Sequence, residues 1–420
     1  MRTALTAAAT ADLAERIATT AAGHAAAYPG DRQGRQPVHT VYVPADRFGA
    51  TTVVDLGAQA RRLLDAHAPT ADALAAATGV PTALAAPVRA RLSSKLDTEP
   101  VEDLRIDFED GYGTRDDGTE DADAQRAAGA VAQMLRDGSG PPFVGLRVKS
   151  FADGGHLRAM RTLDGFVSTL LDAAGRLPSG FVITFPKVVA ADHVAHFVTL
   201  LERLEVALGL ADRALAFEVQ IETTQSIFDR AGRVALPAIV DAAGGRITGA
   251  HFGVFDYTAA CGLPGAQQRL DHPACDFARH VMQVSLAGTG VRLSDGSTNR
   301  VPRDDGTAAV TAVWRHHADQ VRRCLAHGFF QGWDMHPSHL VSRFATVFAF
   351  HLGHIDDTTR RLAAWASATS ADGGVLDEPA TVRALLATLR RAIDCGAVDE
   401  DSALQAAGLT RDDLRGTAPH

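Results

Sequence analysis

The chain has 420 residues, 46% hydrophobic and 22% charged, a composition that excludes fibres, low-complexity repeats and wholesale disorder. Fifty acidic against 41 basic residues give a formal charge of −9, and no run of five lysines or arginines occurs, which argues against a nucleic-acid groove and for a small partner. Cys261, Cys275, Cys324 and Cys395 share no C-x-x-C spacing, so buried thiols in a reducing compartment are expected rather than a disulfide framework or thiolate metal site.

In chain order, residues 6–27 carry alanine with leucine and isoleucine at helical spacing, and residues 28–36 (YPGDRQGRQ) have the chemistry of a turn. A helical arm is therefore expected over 1–36. Asp12, Glu15 and Arg16 interrupt its apolar character and no eighteen-residue apolar run follows. Neither a signal peptide nor a membrane span is expected, and the protein is expected to be cytoplasmic.

Eight short β-rich apolar runs follow, at 38–43, 104–108, 143–148, 181–184, 215–220, 249–253, 290–293 and 329–334, with helical patterns between them. Such runs suit parallel strands covered on both faces, and eight is the number a closed barrel needs. The expected class is α/β, a (β/α)8 TIM barrel over 37–353, with an open doubly wound sheet as the alternative. Helical patterns at 53–66 and 72–78 form an insertion after strand one, expected to cover a barrel end. After residue 353, patterns at 359–368, 380–395 and 400–407 form a C-terminal helical lid or extension over 354–420, broken at Gly373-Gly374.

In such a barrel the chemistry sits at the C-terminal ends of the strands. Polar residues gather there: Asp107, Glu109 and Asp110 after strand two, Arg147 in strand three, Lys187 after strand four, Gln220 and Glu222 at strand five, Asp256 after strand six, Asp334 and His336 at strand eight. Oxygen ligands without cysteine suit a hard divalent ion, magnesium or manganese, and Glu222 and Asp256 on adjacent strands are the expected direct ligands. Arg147 inside an apolar strand needs an anion, either Glu109 or a substrate carboxylate.

Each residue also has a structural reading. A strand-end acid can cap the next helix, Glu109 and Asp110 before Gly111 can form a polar turn, and Lys187 can pair with a neighbouring carboxylate. His336 before Pro337 can be a satisfied rim histidine. Their coincidence at one end is what points to a site.

The segments VYVPADRF, LRIDFEDGYG, LRVKSF, ITFPKV, VQIETTQSIFD, FGVFDYTAACG and GFFQGWDMHPSHL, in order over residues 38–345, resemble the signatures of the citrate-lyase β-subunit-like family. That family belongs to the phosphoenolpyruvate/pyruvate barrel superfamily, with malyl-CoA lyases and metal-dependent pyruvate aldolases as relatives. The resemblance implies magnesium at Glu222 and Asp256, Arg147 as the catalytic binder of a 2-oxo-acid carboxylate, and Glu109 and Asp110 supporting the metal's waters and the arginine. Lys187 and His336 stand at substrate-binding positions. The phrase Gly373-Gly374-Val375-Leu376-Asp377 resembles the family's lid element, which implies Asp377 as a base, supplied by a neighbouring subunit in a homo-oligomer, a trimer or hexamer. The sequence departs from the pattern at Lys149, where asparagine is usual, and at Val38-His39, where an arginine is usual.

The implied function is a magnesium-dependent carbon-carbon lyase or aldolase that acts on a 2-oxo acid or a 3-hydroxyacyl-CoA-type substrate through a metal-stabilised enolate. One alternative is a pyruvate aldolase that uses no coenzyme A thioester, which the missing strand-one arginine and the insertion after strand one favour, while the closeness of the motifs to the citrate-lyase-like pattern favours the thioester lyase. An alternative of another class is a barrel that binds a metabolite without catalysis.

Overall fold

The computed structural model describes residues 4–367 and 378–415. In chain order they form α1 (Ala7–Ala27), β1 (His39–Pro44), α2 (Thr52–His67), α3 (Ala71–Thr78), α4 (Thr82–Thr98), β2 (Asp103–Asp107), α5 (Asp117–Asp137) and β3 (Phe143–Arg147). There follow α6 (His156–Ala174), β4 (Phe181–Phe185), α7 (Ala191–Leu208), β5 (Phe217–Ile221), α8 (Thr224–Ile227), α9 (Leu236–Ala242) and β6 (Ile247–Phe252). The chain continues through α10 (Val254–Ala260), α11 (Pro273–Leu286), β7 (Arg292–Ser294), α12 (Thr307–Ala326), β8 (Gly332–Asp334), α13 (Pro337–Ala366), α14 (Pro379–Asp394), α15 (Glu400–Ala407) and α16 (Arg411–Arg415).

All eight strands are parallel, in the order β7-β6-β5-β4-β3-β2-β1-β8. A parallel bridge between Ser294 and Gln331 and a hydrogen bond from Asp295 N to Gln331 O at 2.8 Å bring the two ends of the sheet together, so the architecture is a (β/α)8 barrel. The outer helices form for ordinary reasons. In α5 the Asp116 side chain caps the N-terminus by accepting from Thr119 N, and Gly138 at φ 65 ends the helix in the left-handed region. In α6 the stripe Ala159, Leu163, Phe166, Val167 and Leu170 is buried at helical spacing, each large side chain contributing about 1.5–3 kcal/mol.

The strands are less uniformly apolar than their sequence suggests, because alternate residues line the barrel. Leu104 and Ile106 of β2 are buried in the main hydrophobic core, whereas Arg105 crosses the interior to Glu218, with Nε donating to Oε1 at 2.9 Å and Nη2 to Oε2 at 3.0 Å. His251 Nε2 meets Glu218 Oε2 at 2.8 Å, and the Thr40 hydroxyl donates to Asp103 at 2.9 Å. The lower interior is thus a paired ionic layer, each charge matched as burial demands.

The insertion lies elsewhere than expected. Instead of covering a barrel end, α2, α3 and α4 pack against α12 and α13 on the outer helical layer. Helix α4, with Pro87 inside it, has no clear apolar period and was not legible in the sequence. Helix α1 has no buried residue, although the segment after it is docked: Gly30 N donates to Gly288 O at 2.8 Å and Arg32 reaches Gly290 O and Ile247 O, each at 2.9 Å. Helix α13 runs unbroken through residue 353, the expected end of the barrel, and beyond it a second small core gathers Leu362, Val382, Leu386, Leu389 and Leu404. Among the described residues no single helix is long and apolar enough to cross a membrane. The four cysteines are unpaired, and Cys261 is exposed, contrary to the expectation of burial.

Candidate active site

Strand register sets the site. Asp107 and Arg147 are paired neighbours at the ends of β2 and β3, so the guanidinium meets the carboxylate across one strand spacing. Arg147 Nε donates to Asp107 Oδ1 at 2.7 Å and Nη2 to Oδ2 at 2.6 Å, while Nη1 faces Glu109 at 3.1 Å and Asp110 at 3.8 Å. The Tyr42 ring, from β1, lies 5.0 Å from the guanidinium, and Gln220 Nε2 reaches the Tyr42 hydroxyl at 3.3 Å. Burial opposes the Arg147 charge, but Asp107 and Glu109 outweigh it and raise its pKa.

Lys187 is the second cation. Its Nζ donates to Glu109, to Asp110 Oδ1 at 2.8 Å, and lies 3.8 Å from Asp256. The residue sits at φ 48, a conformation that costs about 1–2 kcal/mol for a side chain with a Cβ. That twist turns its N–H onto Glu222 Oε1 at 2.8 Å. Glu222 is buried, and Gly253 makes room for it, since a Cβ there would run into the glutamate side chain.

Five carboxylates, Asp107, Glu109, Asp110, Glu222 and Asp256, thus share two cations. Burial, with Glu109 and Asp256 nearby, pushes Glu222 up to about 8. Burial raises Glu109 despite Arg147 and Lys187, and raises Asp256 with Asp110 adding to it. Asp110 moves the other way, because its bond to Lys187 and the charge of Arg147 overcome burial. An excess of negative charge around a buried glutamate fits a divalent cation, and an all-oxygen donor set fits magnesium or manganese.

The sequence-predicted residues Glu109, Asp110, Arg147, Lys187, Glu222 and Asp256 therefore meet at one end of the barrel. His336 instead caps α13, its ring Nδ1 accepting from Ser338 N at 3.1 Å. Asp377 lies outside the described residues. Sequence reading gave no role to Asp107, Tyr42 or Gly253. For Asp107 the signal was present, a strand-end acid at the register of the buried arginine. Lys149 is engaged elsewhere, with Phe108 O at 2.7 Å and Glu120 at 2.8 Å.

A second group, His317, Asp334 and His339, could by spacing hold a metal. Its donors are already committed. Asp334 takes Arg343 at 2.8 Å, His39 at 2.9 Å and His317 at 3.2 Å, His317 Nδ1 meets the Ser342 hydroxyl at 2.8 Å, and His339 Nε2 faces Arg300 O at 2.8 Å. His339 Nδ1 in turn accepts from Met335 N at 3.4 Å, so each ring nitrogen of the two histidines already has a protein partner.

The family described as Domain of unknown function (DUF6986) matches residues 17–420. No curated protein matches the sequence. Among solved structures the chain is similar to malate synthase of Haloferax volcanii. Its magnesium/glyoxylate complex is 15% identical, with 93% of this chain and 100% of that chain covered at a TM-score of 0.49. Its native form with glyoxylate is 15% identical over 92% and 98%, at 0.48, and its pyruvate/acetyl-CoA ternary complex 16% over 73% and 86%, at 0.43.

Proposed function

This chain belongs to the DUF6986 family, and we propose that it is a magnesium-dependent carbon-carbon lyase or aldolase acting on a 2-oxo acid or a 3-hydroxyacyl-CoA-type substrate through an enolate. The observation that carries this reading is Glu222, a buried carboxylate facing Glu109 and Asp256, without an ion pair among the described residues and with its pKa pushed up to about 8. Glu222 and Asp256 would hold magnesium, or manganese in its place. Bound there, the ion supplies Lewis-acid polarisation of a keto oxygen and offsets the negative charge that develops on it.

The protein's own residues do the rest. Asp107 holds the Nε and Nη2 edge of the Arg147 guanidinium and leaves Nη1 directed at the cluster, where a substrate carboxylate competes with Glu109 for it. Glu109 orients both Arg147 and Lys187, and the Lys187 ammonium offers a second positive contact to an anionic substrate. Asp110 and Asp256 are partly exposed, so the cluster opens to solvent on the side where substrate enters. Asp377 is retained as the proposed base on the strength of the family resemblance.

The reading without coenzyme A is supported by the residues that depart from the family pattern. His39 is buried between Asp334 and Glu102 N, and Lys149 is tied to Phe108 O and Glu120, so both serve the framework. The deciding experiment follows the methyl proton signals of pyruvate and, separately, of acetyl-CoA in heavy water with magnesium. Loss of the pyruvate signal, abolished by Asp256→Ala, establishes the aldolase, and loss of the acetyl-CoA signal establishes the thioester lyase. Exchange in neither, with or without an oxo acid present, overturns the proposal in favour of a non-catalytic metabolite-binding barrel.

A further inference from the structure

We propose that the end of the barrel opposite the carboxylate cluster carries a binding site for a small dianion, a phosphate ester or a polycarboxylate, formed by Arg32, Arg292, Arg390 and Arg391. These four side chains line one cavity of about 280 Å³ between the segment after α1, the loop leading into β7, and the last turn of α14. Arg292 is the first residue of β7, which places the cavity at the N-terminal ends of the strands.

Elsewhere the arginines that the fold buries are matched by carboxylates: Arg105 by Glu218, Arg147 by Asp107, Arg246 by Glu205, Arg279 by Asp295, Arg343 by Asp334. The four in this cavity, of which Arg292, Arg390 and Arg391 are half-buried and Arg32 is exposed, are not. Arg32 donates to Gly290 O and Ile247 O, Arg292 to Gly34 O at 2.8 Å, and Arg390 to Gln33 Oε1 at 2.9 Å, while Arg391 stacks 4.0 Å from the Phe330 ring. Among the described residues none of the four makes an ion pair. Asp31 and Asp394 also line the cavity, so four guanidiniums against two carboxylates leave two positive charges.

The repulsion is felt. Burial and the charges of Arg32, Arg390 and Arg391 push Arg292 down to about 10, and burial lowers Arg391 as well. A guanidinium does not shed its proton to relieve this, so the remaining route is an anion. Planar N–H forks converging from three elements match phosphate and carboxylate oxygens. A bound dianion would tie Arg32 of the docked segment, Arg292 of β7 and the last turn of α14 to one another. The site lies away from the carboxylate cluster and stands or falls independently of the reaction assigned to it.

The test uses the full chain at low ionic strength, titrated calorimetrically with pyrophosphate and separately with tricarballylate. Binding of at least one is expected, weakened about tenfold or more by Arg390→Gln, which costs about 1.4 kcal/mol of binding. Pyrophosphate alone would mark a phosphate ester as the ligand class, tricarballylate alone a polycarboxylate, and both a site that selects on charge. Without ligand, Arg390→Gln should melt no lower than the parent, because it removes repulsion, a result that a merely structural arginine would not give. Arg390→Lys should bind more tightly than Arg390→Gln. Failure of both anions to bind, or binding unchanged in Arg390→Gln and Arg390→Gln/Arg391→Gln, overturns the proposal.

Discussion

Asp107 holds Arg147 by two parallel bonds of 2.7 and 2.6 Å, and the same two oxygens accept the N–H groups of Glu109 and Gly111, each at 2.9 Å. One carboxylate therefore fixes both the buried cation and the turn that carries Glu109 and Asp110. Asp107→Asn keeps the shape but loses the charge and one acceptor. It should lower unfolding free energy by about 3–5 kcal/mol, the usual effect of breaking a buried pair, measured by urea titration. An unchanged midpoint would mean that Glu109 alone suffices for Arg147.

The Glu222 carboxyl makes metal binding and stability depend on pH together. Its pKa rises to about 8 in the folded chain, from burial and from Glu109 and Asp256, so between its ordinary value and about 8 the native state holds more protons than the unfolded one. Its contribution without metal is therefore greatest at low pH and declines as pH rises to about 8. Magnesium must displace that proton below this pH and need not above it. The rise in Tm on adding magnesium should be larger at pH 8.5 than at pH 6, an increase read directly by calorimetric scans. A magnesium shift independent of pH would remove Glu222 as a ligand.

Gly253 is needed for the space it leaves. Its backbone, at φ −98 and ψ 99, is open to alanine, yet a Cβ would strike the Glu222 side chain. Gly253→Ala should fold and weaken magnesium binding by about 10–100-fold, the range seen when residues that orient a ligand are changed. Retention of parent affinity would show that Glu222 can shift without loss.

The His317, Asp334 and His339 cluster provides the control. Because its donors and acceptors are satisfied internally, His317→Gln should leave the magnesium-induced Tm shift unchanged while costing about 1–3 kcal/mol of stability. Glu222→Gln should do the reverse, removing the shift without comparable destabilisation. Loss of the magnesium response in His317→Gln would transfer the metal to the histidines.

The barrel was legible because each strand is a short apolar run between helical patterns, and because Glu109, Asp110, Arg147, Lys187, Glu222 and Asp256 all lie at or shortly after strand ends. What was not legible has physical reasons. Asp103, Arg105, Glu218 and His251 bond to one another across the interior, a pairing between distant strands that no local window contains. Helix α4 carries Pro87 and buries Ala85, Val88, Leu92 and Leu96 among polar neighbours, so its period is weak. The insertion was expected at a barrel mouth, but its apolar faces are complementary to α12 and α13, a relationship set by tertiary packing. His336 follows β8 at the C-terminal end of the strand, where a substrate contact was expected, yet its ring is used to start α13.

Helix α13 has thirty residues, a length of about 45 Å at the standard rise. Its first half buries Leu340, Val341, Phe344 and Phe348 in the main core, and its second half sends Leu362 into the small one. Barrel and tail are consequently not interchangeable parts. A recombination or deletion breakpoint near residue 353 would sever a continuous rod and strip both cores at once, so descent with modification in this chain must carry the two together.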